Sequence, residues 1–319
     1  MICIRIDVEL EEILILDATN RWIEQFNDYT SIRGKSIPVQ ICHYTKLENL
    51  KSIIINKCFW ATKIQEFKDP NEGVASLKAL KNIDDNIDSN AKAKLSNIIS
   101  SDHNLKEYIN RFPGYVVCFS TDINSTYMKT DFNSNDTSFG RECSIVFNTQ
   151  RLLNSLSIVT KNSIIRKGIF KYGNIIYDKS RQNAIVNSEI QNLWNYLYQD
   201  PTMNIDDRIE YLLRKVYYLG TYFKIPHENI NLQSPKVSAQ EKEYRILVNL
   251  CYDPKGIIVN LLPEEYEESN DFEKRHHINI QYGLESIDCV YVDSNDDKKE
   301  LTDELHKHQI DNLLIKARL

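Results

Sequence analysis

Glycine is scarce in this chain. Nine occur in 319 residues, and no two of them form G-x-G-x-x-G or a phosphate loop ending in G-K-[ST]. The glycine-rich turns that let backbone N–H groups cradle phosphates are therefore missing, which excludes glycine-loop dehydrogenase and P-loop readings. G-x-S-x-G and H-E-x-x-H are absent too, removing the most direct hydrolase and zinc-protease assignments. The seven cysteines (Cys3, Cys42, Cys58, Cys118, Cys143, Cys251 and Cys289) are odd in number and never spaced C-x-x-C. That pattern argues against a disulfide framework or a structural zinc site and for a reducing cytoplasm. No segment reaches the apolar length of a membrane span, and the opening MICIRIDVELEEILILD carries acids where a signal peptide needs an unbroken apolar core. The expectation is a cytoplasmic protein with no membrane partner and no metal. A net charge of −6 disfavours a broadly basic nucleic-acid surface, although a local patch is compatible with it.

What is present is globular: 42% hydrophobic residues against 26% charged, enough apolar mass for one large core or two modest ones. Residues 7–28 mix Leu10, Ile13, Leu14, Trp22 and Phe26 with charges and read as helical. With the turn-like Ser36-Ile37-Pro38 after them, residues 1–36 read as an N-terminal extension and 37–319 as a single domain. Val39–Tyr44 alternates as a strand, and Thr45 with Glu48 has the spacing of a capping box. Leu47, Leu50, Ile53 and Ile54 then give one apolar helical face, with Asn56 as a left-handed stop. Strands are also expected at Cys58–Thr62, Tyr115–Ser120, Cys143–Phe147, Ile169–Tyr172, Ile175–Tyr177, Glu243–Leu250, Gly256–Leu261 and Ile287–Val292, and in the closing LLIKARL. Helices are expected within 74–112, at 189–199 and 206–222, and near 298–308. The polar segment 121–141 is too long for an ordinary connection and reads as a binding loop. Strands and helices do not alternate regularly, so the fold class is α+β.

Two stretches carry candidate chemistry. In ICHYTKLE, His43 closes a strand just before a helix; it is either a ligand-facing residue or a core histidine bonded to a backbone carbonyl. Cys42 and Tyr44 point away from it, so Cys42 and His43 do not make a dyad. In QEKEYRILVNL, Tyr244, Ile246, Val248 and Leu250 take one face, and Glu243, Arg245, Leu247 and Asn249 the other, with Glu241 joining if the strand starts earlier. Same-face neighbours lie roughly 6–7 Å apart, close enough for two carboxylates and a guanidinium to meet one polar ligand. The structural alternative is an edge strand whose charges neutralise one another in solvent. His276-His277 and His306-Lys307-His308 lack metal-ligand spacing and read as surface histidines. Trp60 and Trp194 read as core by residue type.

Read in order, HYTKLENLKSIIINKCFWAT, FKDPNEG, YVVCFS and EKEYRIL resemble a bacterial family known only as a domain of unknown function, number twenty-nine seventy-one. The likeness spans about residues 39–250. Lys68 stands where that family has Asn, and Met128-Lys129 where it has Met-Trp. The opening of the family is similar to that of the ADP-ribosyltransferase superfamily. The resemblance implies a split, two-sheet α+β core holding NAD as substrate, and an effector of toxin or phage-defence type. It further implies an ADP-ribose acceptor that is protein or nucleic acid, and a cognate inhibitor protein. It places His43 on a ribose hydroxyl and Glu243, or Glu241, as the catalytic carboxylate. His43, Thr45, Trp60, Asp69, Glu72 and Arg245 would surround the NAD. Breaking the nicotinamide–ribose bond develops positive charge, so a carboxylate stabilises the transition state more than the ground state. The alternative is a catalytically silent member that binds a nucleotide or a protein.

Overall fold

The structure is a computed structural model that describes residues 37–67, 77, 88–101, 114–130, 143–159, 164–166, 170–198, 204–224, 241–249, 267–270 and 275–318. It is mixed α/β, with a twelve-stranded and largely antiparallel sheet. The strands are β1 (Gln40–Thr45), β2 (Cys58–Lys63), β3 (Gly114–Ser120), β4 (Cys143–Asn148), β5 (Ser157–Val159), β6 (Ile164–Arg166), β7 (Phe170–Asn174), β8 (Glu243–Asn249), β9 (Glu267–Asn270), β10 (Arg275–Gln281), β11 (Ile287–Val292) and β12 (Ile315–Ala317). The helices are α1 (Leu47–Asn56), α2 (Ser89–Ser100), α3 (Thr126–Thr130), α4 (Thr149–Ser155), α5 (Lys179–Tyr198), α6 (Ile205–Gly220) and α7 (Asn295–Lys307). Among the described residues, no helix is long and apolar enough to cross a membrane.

The sheet branches at β3. One edge of β3 pairs with β8 along its full length, and β7 lies outside β8. The other edge is shared: β2 takes Tyr115 and Val116, while β1 takes Ser120. From there β1 leads to β4, β11 and β12, and β2 leads to β10, β5 and β6. Strand alternation sends side chains to two faces. On one, Val116 and Leu247 meet α2, α5 and α6 through Leu95, Trp194, Leu212 and Val216. On the other, Ile41, Phe59, Phe119, Ile145, Ile246 and Val290 meet α1, α4 and α7 through Leu50, Leu152 and Leu301. A small third cluster of Cys42, Tyr44, Met128, Val146 and Cys289 lies under α3. Gly114 opens β3 where space is short: a Cβ there would come within 2.7 Å of Ile64 and 3.2 Å of Tyr218.

Several expectations are corrected. Thr45 stays in β1 and does not cap α1; Lys46 is the N-cap and makes no side-chain cap bond. The left-handed stop is Lys57, at φ 50, and not Asn56. Helix α5 starts ten residues before the expected 189, and Ile175–Tyr177 reduces to one bridge between Ile176 and Phe223. Strand β8 lies between β3 and β7, so it is not an edge. The extension 1–36, the loop 68–73 and the strand expected at 256–261 lie outside the described residues.

Tyr44 ties β1 to the segment after β3. Its hydroxyl donates to the Asp122 carbonyl at 2.7 Å and accepts from the Ser125 amide at 3.0 Å. Tyr44→Phe removes both bonds and is expected to lower stability by about 1–3 kcal/mol. The urea midpoint should fall with an unchanged slope, and an unshifted midpoint would show that these bonds carry no weight.

Candidate functional site

Strand β8 carries the densest set of buried charges. Glu243 and Arg245 alternate with Tyr244 and Ile246, which belong to the opposite core, so both charges point toward the helix layer of α5 and α6. Glu243 is 6% exposed and Arg245 2%. Arg245 donates through Nε to Glu243 Oε1 at 2.6 Å and through Nη1 to the Thr221 carbonyl at 2.5 Å. Thr221 caps the C-terminus of α6, where carbonyls converge and a cation is favoured. Lys224 donates to Glu241 Oε2 at 2.7 Å and to Glu243 Oε2 at 3.2 Å. The Lys224 backbone is positioned by its bond to the Ile176 carbonyl and by Gln182, whose amide donates to the carbonyls of Ile176 and Lys224. Lys242, at φ 44, turns the chain between the two glutamates, and its ammonium meets Asp122 at 2.9 Å.

The carboxyls diverge in character. Burial pushes Glu243 up, but Arg245 and Lys224 outweigh it and hold the carboxyl well below the usual carboxylate range. For Glu241, burial raises the pKa, Lys224 lowers it and Glu243 raises it; the balance is a shift upward. Burial pulls Lys224 down, yet the two glutamates more than reverse this and raise it. Burial, then the charges of Glu243 and Glu241, raise the Tyr177 phenol, whose oxygen accepts from the Glu243 amide at 3.4 Å. The stability from Glu243 is present above the ordinary carboxylate pKa and is lost as pH falls through its depressed value. Glu241 runs the other way: its contribution is present below the ordinary value and lost as pH rises through the raised one. Of the two, Glu241 is the carboxyl suited to trade a proton, and Glu243 is a fixed anion.

His43 is elsewhere. Its Nδ1 lies 3.0 Å from the carbonyl of Cys118, in the part of β3 that neither β1 nor β2 pairs. Its ring packs edge-on against Phe59 and Phe119, each centroid 5.6 Å away. Phe119 sits opposite Tyr244, and Cys118 opposite Arg245, so His43 occupies the sheet face opposite to Glu243. In register, Cys42 pairs with Ser120, and Ser120 with Glu243. Cys42 and Tyr44 therefore share the glutamate face, and the structure does not bring His43 and Glu243 together.

The remaining sequence candidates divide. Phe67 lies with its ring 5.9 Å from the Arg245 guanidinium carbon. Asp69 and Glu72 themselves lie outside the described residues. Thr45 is buried at the end of β1 opposite Cys143. Trp60 is 56% exposed, against its reading as core, and stacks on His277 at 4.4 Å. His277 is buried and not a surface residue, whereas His276, His306 and His308 are exposed and Trp194 is core. Lys224 and Tyr177 were not among the sequence candidates; each is a lone polar residue at an element's end, with no periodic neighbour to mark it.

The cluster joins β8 to the end of α6, so breaking it should loosen the helix layer. Arg245→Ala leaves Glu243 buried beside one cation and is expected to cost about 3–5 kcal/mol in urea unfolding. Glu243→Leu combined with Arg245→Met should cost less than Arg245→Ala alone, because no uncompensated charge is left at that pair. A loss below about 1 kcal/mol in Arg245→Ala would contradict the cluster's structural role. Comparison with known proteins finds no matching family model, no matching curated protein and no matching solved structure.

Proposed function

We propose that this chain works by binding and not by turnover: a catalytically silent, nucleotide-binding member of the α+β class. The observation that carries this reading is that both oxygens of Glu243 are held by cations, on the face opposite His43. A carboxylate that stabilises an oxocarbenium ion must gain more from the transition state than from the ground state. Glu243 already has its charge balanced by Arg245 and Lys224 in a buried setting, so developing positive charge gains little from it. His43 is committed to a backbone carbonyl and to aromatic packing.

A second reading, an NAD-dependent ADP-ribosyltransferase acting on a protein or nucleic-acid acceptor, is favoured by one specific feature. Strands β1 and β2 part along β3 at His43, which is compatible with a split core, and Glu241 retains a protonatable carboxyl. The motif order HYT, DPNEG, CFS and EKEYR supports the same reading.

The two separate in one assay. Purified protein is incubated with NAD, and nicotinamide release is followed beside the Glu241→Gln and Glu243→Gln variants. The silent reading expects no release above buffer in any of the three. Release that either substitution abolishes would overturn it in favour of the transferase.

A further inference from the structure

Strand β2 lies inside the sheet, between β3 and β10, yet one of its side chains stands in solvent. Phe59 and Ala61 enter the core, and alternation sends Cys58, Trp60 and Thr62 to the other face. Trp60 keeps 56% of its surface exposed. The other exposed large apolar residues among those described, Ile37, Val39 and Leu314, precede β1 or β12, where the chain enters the sheet. Of the four, Trp60 alone is aromatic and alone stands within a strand.

Register fixes what surrounds the indole. Across β10, Thr62 pairs with His277, Trp60 with Asn279 and Cys58 with Gln281. The His277 ring stacks on Trp60, with centroids 4.4 Å apart and planes 30° apart, and is itself buried. One face of the indole is thereby backed and its tilt is held. His277 stands on the Thr62 side of Trp60, so the opposite ring face looks along the strands toward Cys58 and Gln281. Gln281 is exposed, and Asn279 and Cys58 are partly so. Cys58 Sγ lies 3.6 Å from Asn279 Oδ1, which ties these two together beside the ring. The side chains along the open face are thus a thiol and two carboxamides, all uncharged and all able to hydrogen-bond.

We infer that the open face of Trp60, with Gln281 beside it, is the binding site for the purine base of a nucleotide. A planar heterocycle gains from stacking on an exposed indole, and a ring already held in place loses little freedom when it is covered. A carboxamide offers a donor and an acceptor in one plane, the pairing that an adenine edge presents. Uncharged groups suit a base better than a phosphate, which calls for cations, and hydrogen-bonding groups suit it better than the apolar centre of a protein partner. The choice of a nucleotide rests on the nucleotide-binding reading above. The location rests on Trp60, its stacked backing and the register of β2 with β10.

The test is equilibrium dialysis of the full chain with adenosine, ADP, uridine and a short single-stranded oligonucleotide, with tryptophan emission followed in parallel. Adenosine and ADP should bind saturably and quench the emission, and uridine should bind more weakly. Trp60→Leu should weaken both adenine ligands by about tenfold or more. Trp60→Phe should retain part of the affinity but lose the quenching, which a merely structural role would not produce. Gln281→Ala should weaken adenosine by about threefold or more and narrow its margin over uridine. Both side chains are exposed, so the melting temperatures of these variants should stay near that of the parent chain. ADP binding that neither Trp60→Leu nor Gln281→Ala weakens overturns this site and leaves the nucleotide reading standing. ADP binding without adenosine binding also overturns it, because phosphate and not the base would carry recognition. Retention of the oligonucleotide far above adenosine overturns the choice of a small molecule. No saturable binding of either adenine ligand overturns both the site and the reading.

Discussion

The arrangement depends on a steric constraint at β3. One edge of that strand must serve β1 and β2 together, and the two leave its middle unpaired. A buried backbone carbonyl without a partner is costly, on the order of 1–3 kcal/mol. His43 meets that need by bringing Nδ1 to the Cys118 carbonyl while its ring fills the space between Phe59 and Phe119. Once β1 is fixed in this register, the faces of the whole sheet follow. Cys42, Ser120 and Glu243 fall in one row, and His43 is turned into the opposite core.

On the other side of β3 the problem is electrostatic. A buried carboxylate is tolerable only with compensation, and Glu243 has it twice, from Arg245 and Lys224. Those same cations reach the carbonyl end of α6 and the segment that follows it, so the ion cluster also fixes the helix layer against the sheet. Structural service and catalytic service compete here. A carboxylate that is fully paired is well placed to hold the fold and poorly placed to respond to a new positive charge. Glu241, at the outer margin with a raised pKa, keeps a capacity that Glu243 has given up.

Much of this was legible in the residues, and what was not has physical reasons. The alternation in Val39–Tyr44, Tyr115–Ser120, Cys143–Phe147 and Glu243–Leu250 marks strands because one or both faces are buried. It correctly sets Tyr44 against His43 and Glu243 with Arg245. Alternation within a strand does not give the register between strands, and a slip of one residue exchanges the faces. That is why His43 and Glu243 could be expected to meet, although Cys42 is the residue in the glutamate row. Strand β10 escaped notice because RHHINIQ offers two isoleucines among polar residues, and its buried His277 is indistinguishable from a surface one by type. The first turns of α5 are hidden in the same way by a polar stretch whose Gln182 is buried for its hydrogen bonds and not for hydrophobicity.

Glu243, paired with Arg245 and Lys224, is a locked anion. Carbon-13 NMR of the glutamate side-chain carboxyls through an acid titration, with Glu243→Gln to assign the resonance, measures this directly. Glu243 should hold its ionised shift well below the ordinary glutamate pKa of about 4.3 for as long as the protein stays folded. Glu241 should titrate above that value. A Glu243 resonance that titrates at or above the ordinary value would contradict the claim and return this residue to the role of a responsive catalytic carboxylate.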